Sequence, residues 1–126
     1  MANTIHQFSP KIYPRLLWVA VGVNYACIKD FFDTDIPDLD ESEVAAVYNA
    51  HTTKPKQRGG ILIRFRSKKG MTTSIIAHES VHAALEMFEY CGCKVESQNQ
   101  EPLAYLVQWI ADCREQVRTG KFDEDA

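Results

Sequence analysis

At 126 residues and 14.3 kDa, the chain has room for one domain. Hydrophobic residues at 45% and charged residues at 25% are globular proportions, which excludes a disordered chain, and the length excludes separate catalytic and substrate lobes. This one small domain, or a second copy of it, must therefore build both walls of any cleft, and the net charge of -3 argues against general nucleic-acid binding.

The first ten residues (MANTIHQFSP) carry no basic region followed by an apolar core, so no secretion leader is expected, and residues 1–10 read as flexible. Residues 15–23 (RLLWVAVGV) form a dense apolar run that suits a buried strand. A short helix is expected over 24–32 and an acidic loop over 33–43. Residues 44–51 are ambiguous, with Val47 and Tyr48 favouring strand, and the polar connection 52–60 ends in two glycines that turn the chain back.

Residues 61–67 alternate, with Ile61, Ile63 and Phe65 on one side and Leu62, Arg64 and Arg66 on the other. Arginines along one face suit an edge strand, expected over 60–66. They belong to a segregated charge pattern. Between Glu43 and Glu79 there is no acid but seven bases (Lys54, Lys56, Arg58, Arg64, Arg66, Lys68, Lys69), whereas the rest of the chain sets seven bases against 17 acids. Such a run reads as a solvated loop and charged sheet edge, with steering of an anionic partner as the alternative.

After Gly70 the period becomes helical. Over 73–90, Ile76, Ala77, Val81, Ala83, Ala84, Leu85, Met87 and Phe88 fill one side, while His78, Glu79, His82, Glu86 and Glu89 gather on the other. Gly92 is placed to stop this helix. A second helix is expected from near Asn99, with Pro102 in its first turn, a core stripe of Leu103, Leu106, Val107, Ile110 and Val117, and Gly120 as its end. The tail 121–126 reads as flexible. The expected fold is α+β: a three-stranded mixed sheet whose edge strand 60–66 packs on the first long helix, followed by a second. The longest apolar stretch, 16–28, is too short to span a bilayer, so no membrane role is expected.

Four cysteines sit at 27, 91, 93 and 113. Without a leader they point to the cytoplasm and to reduced thiols. Cys91-Gly92-Cys93 lacks the second half of a four-cysteine zinc site and reads as two idle thiols at a helix end.

The informative string is His78-Glu79-Ser80-Val81-His82. Histidines four apart on a helix project from one face and can present ring nitrogens to one zinc ion. Glu79 lies about a hundred degrees round from His78, close enough to take a proton from a metal-bound water and pass it to a leaving amine. With four histidines in the chain, chance yields roughly 0.01 such strings per sequence of this composition. The bland account is two histidines and a glutamate on a wet helix face.

A catalytic zinc needs a third protein ligand and an open position for water. Glu86 and Glu89 share the histidine face but lie too far along it. Glu101, at the start of the second helix, is the better candidate, with Glu96 as fallback. Its bland account is a first-turn acid favoured by the helix dipole.

This string followed by Glu101 on a later helix resembles the gluzincin branch of zinc metallopeptidases, and more narrowly the small zincin-like proteins of bacteriophages and prophages. The similar features include Ile12-Tyr13-Pro14, Leu17-Trp18-Val19, Gly60 to Phe65, Ile76 to Ala83 and Glu101 to Leu106; only the metal motif is highly specific. The resemblance implies one zinc per chain on His78, His82 and Glu101, with Glu79 as general base and acid. It also implies a peptide substrate paired with the edge strand 60–66, and a bacterial host cytoplasm as setting. Gln100 and Tyr105 depart from the larger gluzincins, which carry Asn before the third ligand and Asp four residues after it. Tyr105 therefore enters as a candidate partner of the ligands or oxyanion donor, against the commoner structural tyrosine. No downstream lobe supplies a transition-state histidine, which leaves His51 as the remaining candidate.

The expected function is a minimal zinc-dependent peptidase. The alternative is a non-catalytic zinc-binding domain that acts as a protein-binding module. A deformylase-like hydrolase is disfavoured because Cys27 lacks the glycine-containing surroundings of that class.

Overall fold

In the computed structural model, residues 4–53 and 56–122 are described. Lys54 and Pro55 of the basic connection, and residues 1–3 and 123–126 of the two ends expected to be flexible, lie outside the described residues. The elements are β1 (Ile5–Phe8), β2 (Leu16–Val21), α1 (Tyr25–Phe31), β3 (Ala45–His51), β4 (Gly59–Phe65), α2 (Thr73–Cys91) and α3 (Glu101–Thr119). A single 3-10 turn at Lys68–Gly70 leads into α2. No helix among the described residues is long and apolar enough to cross a membrane.

The sheet is four-stranded and mixed, in the order β1-β2-β4-β3. This corrects the expected three strands. Ile5–Phe8, where no element was expected, pairs antiparallel with β2. β2 runs parallel to β4, and β3 runs antiparallel to β4. The strand expected at the edge, 60–66, is therefore flanked on both sides. The free edge beside the long helices is β3.

The physical reason is that both faces of the β2–β4 pair are covered, as parallel pairs require. On one face, Leu17, Val19, Ile61, Ile63 and Phe65 join Ile76, Ala83, Ala84, Met87 and Phe88 of α2 and Leu106 and Ile110 of α3. On the other, Leu16, Trp18, Ala20 and Leu62 pack with Ile28 of α1, Phe32 and Ile36. Arg64 belongs to this second face and does not mark an edge. It is 6% exposed, and its Nη1 pairs with Asp38 of the acidic loop at 2.6 Å while its Nη2 donates to the Val23 carbonyl at 3.2 Å.

Both long helices carry the caps that the sequence supplies. Thr72 Oγ1 accepts from Ile75 N–H at the start of α2, and Gly92 closes it with φ of 71°. α3 ends on Gly120 with φ of 74°, and Pro102 falls in its first turn. The buried stripe of α2 is narrower than its apolar side. Val81 is 43% and Leu85 38% exposed, because sheet and α3 together cover only the arc through Ile76, Ser80, Ala83, Ala84, Met87 and Phe88.

Candidate metal centre and cleft

His78 and His82 occupy consecutive turns of α2 and both are exposed. Their Nε2 atoms lie 3.2 Å apart, with ring centroids separated by 4.8 Å and planes inclined at 71°. Two nitrogens on one tetrahedral zinc, each about 2.0–2.1 Å from it, stand roughly 3.3–3.4 Å apart. The pair thus fits two positions around one small cation.

Glu79 is half-buried and shares a cleft of about 300 Å³ with His82, between α2 and β3. Glu43, Ala45, Ala46, Val47 and Glu86 complete its walls. The small side chains at 45 and 46 leave the space open. The far end of the cleft is fixed by a relay: Arg15 Nη2 donates to Asn49 Oδ1 at 2.9 Å, and Asn49 Nδ2 donates to Glu86 Oε1 at 2.5 Å. The Glu86 carboxylate is thereby held against the sheet, on the cleft wall.

The cleft faces a strand edge with free backbone groups. Arg66 N–H donates to the Val44 carbonyl at 2.9 Å, so even-numbered residues of this strand turn their backbone toward β4. The odd-numbered Ala45, Val47 and Asn49 turn outward. His51 does too, but its N–H donates to Thr34 Oγ1 and its carbonyl accepts from Asp33 N–H, both at 2.8 Å. The open stretch among the described residues is therefore Ala45 to Asn49.

Where α3 packs on α2 there is a buried cation. Arg114 of α3 is fully buried, its guanidinium 5.0 Å from the Phe65 ring centroid, and its Nη1 donates to the Ile76 carbonyl at 2.9 Å. Its Nε and Nη2 find no partner among the described residues. Burial pushes its pKa down to about 9, and the Glu79 carboxylate opposes the fall. At neutral pH the group stays charged. Sequence reasoning missed Arg114, Arg15 and Asn49. No spacing rule marks them, because each meets the cleft only through the packing of distant segments.

Other expected site residues lie elsewhere. Arg114 meeting Ile76 sets α3 alongside α2 in the opposite sense. Among the described residues, no group of three or more His, Cys, Asp and Glu side chains converges closely enough to hold a metal ion. Glu101 is exposed at the first turn of α3, where its charge suits the helix dipole. Glu96 sits in an exposed turn bridged to Asn99. Tyr105 is 66% exposed and lines a separate apolar recess with Ile12, Tyr13, Pro102 and Trp109. The ring of His51 stands over Gly59, at the opposite end of β3 from the Glu43 wall.

The residues present thus fit a metal in part: two imidazoles converge as ligands do, and the expected third ligand does not join them. No family model, no curated protein and no solved structure matches this chain.

Proposed function

We propose that this protein is a small zinc-dependent peptidase of zincin-like fold, in which His78 and His82 hold the metal and Glu79 is the general base and acid. The observation that carries the reading is the 3.2 Å approach of the two Nε2 atoms on the face that adjoins the Glu79 cleft. When bound, zinc would acidify a water and polarise a peptide carbonyl. In this reading Glu79, which lines the same cleft as His82, would take up a proton from the attacking water and return it to the departing amine. The outward backbone groups of Ala45, Val47 and Asn49 offer an extended peptide a strand to pair with. In this reading they take the substrate-pairing role expected of 60–66.

The third ligand remains Glu101 in this reading. A second reading is favoured by the lack of a three-ligand group among the described residues. In it, the histidine pair binds metal weakly and the β3 edge recruits a protein partner without cleaving it.

Glu79→Gln separates the two. In the peptidase, zinc content stays near that of the wild type while cleavage of a peptide library falls by about a hundredfold or more. Equal cleavage by both proteins, measured by mass spectrometry at matched zinc loading, excludes Glu79 as the base. Zinc binding with no cleavage by either protein favours the binding module.

A further inference from the structure

The C-terminal end of α2 carries a second chemical group, Cys91-Gly92-Cys93, about 13 Å along the helix from His82. No disulfide joins any of the four cysteines, and Cys91 is partly exposed and Cys93 exposed. Every residue from Cys93 to Gln100 is exposed, so no element covers the pair.

The backbone already sets the spacing that a bond between these sulfurs requires. The Cα separation of residues flanking a single residue depends only on that residue's φ and ψ. Gly92 has φ of 71° and ψ of 20°, the mirror image of a near-helical conformation. A mirror image preserves distance, so the Cα atoms of Cys91 and Cys93 stand at the helical i to i+2 separation of about 5.4 Å, inside the disulfide window. Gly92 places no side chain between the two sulfurs. The conformation is held by two hydrogen bonds, Gly92 N–H to the Glu89 carbonyl at 3.3 Å and Cys93 N–H to the Phe88 carbonyl at 2.9 Å.

The two thiols also sense each other electrostatically. Burial pushes the Cys91 thiol up and the charge of Cys93 pushes it further, while Arg15 opposes both. Cys91 is the more sheltered of the two. Cys113 is buried, at 1% exposure, and Cys27 lies on α1 across the sheet.

We propose that Cys91 and Cys93 form a reversible dithiol–disulfide couple that exchanges with small disulfides of the glutathione type. The exposed Cys93 thiolate attacks one sulfur of oxidised glutathione, which forms a mixed disulfide and expels one glutathione thiolate. The Cys91 thiolate then attacks the Cys93 sulfur and expels the second. The two protons lost by the protein thiols go to the two departing thiolates. The protein is oxidised by two electrons and the glutathione disulfide is reduced by two. Because the loop closed is a single residue, little chain entropy favours the bond, and excess reduced glutathione reopens it.

The test is intact-mass analysis and thiol counting of the full chain titrated with oxidised glutathione, with peptide mapping under non-reducing conditions. Expected are a monomer that loses two of its four titratable thiols, with the bond mapped to Cys91–Cys93, and full reversal by reduced glutathione. Cys91→Ser is expected to stop at a glutathione adduct on Cys93, and Cys93→Ser to form no internal bond. A wild-type protein that accumulates a stable adduct on Cys93 while Cys91 remains open to alkylation overturns the proposal. So does the loss of two thiols in Cys91→Ser. Neither readout depends on metal or on cleavage.

Discussion

Arg114 is the residue whose chemistry runs most against its surroundings. A buried guanidinium with one hydrogen bond and a ring contact costs stability, and an apolar side chain of similar length fills the same space without that cost. Arg114→Met is therefore expected to leave the thermal midpoint unchanged or to raise stability by up to about 3 kcal/mol. A clear drop in stability would show that the charge is structurally required. Asp38 presents the opposite case. The Arg64 guanidinium beside it holds its carboxyl below the ordinary 3.8. In acid the unfolded chain takes up this proton first, so the pair stabilises the fold above that pH, and its contribution fades as pH falls through the depressed value. Asp38→Asn should unfold at a lower temperature than the wild type at pH 7, and the gap should close below pH 4, as followed by circular dichroism. His78, Glu79 and His82 were legible in the sequence because a helix converts their spacing directly into proximity. Asp38 and Arg64, 26 residues apart, carried no such rule.

At the scale of elements, the helices followed their local signals most closely. Asn24, Thr72, Gly92 and Gly120 cap where capping chemistry puts them, since those interactions are made within a turn or two. The strands were legible as segments but not in their order. The alternation of 61–65 divides the two faces correctly, yet the arginine on one face was read as an edge signal when it was the partner of an acidic loop. Gly60 tests the pairing of β2 with β4. A Cβ there would meet the Leu16 carbonyl and the Trp18 ring. Gly60→Ala is expected to destabilise the fold by about 1–3 kcal/mol in chemical denaturation; a neutral effect would mean that these strands do not approach so closely.

At the scale of the whole molecule, the cleft exists because α2 crosses beneath an outer strand whose other side is already paired. Val47→Pro tests this arrangement. The Val47 N–H points away from β4, so proline there removes an outward donor without breaking the ladder. The variant should keep its zinc content and thermal midpoint within a few degrees while KM for extended peptides rises and kcat changes less. An unchanged KM would remove β3 from substrate binding.

By itself the sequence determined the helices, their caps, the two-faced strand 61–65 and the histidine pair with its glutamate, all properties of neighbours in one chain segment obeying periods of 3.6 and 2. Tertiary structure alone decided which strand lies at the edge, that Arg114 is buried against α2, and that Glu101 and Tyr105 do not join the histidines. Those outcomes depend on how far α3 returns along α2 and on what covers each face of the sheet. They are set by packing between segments that no local period connects.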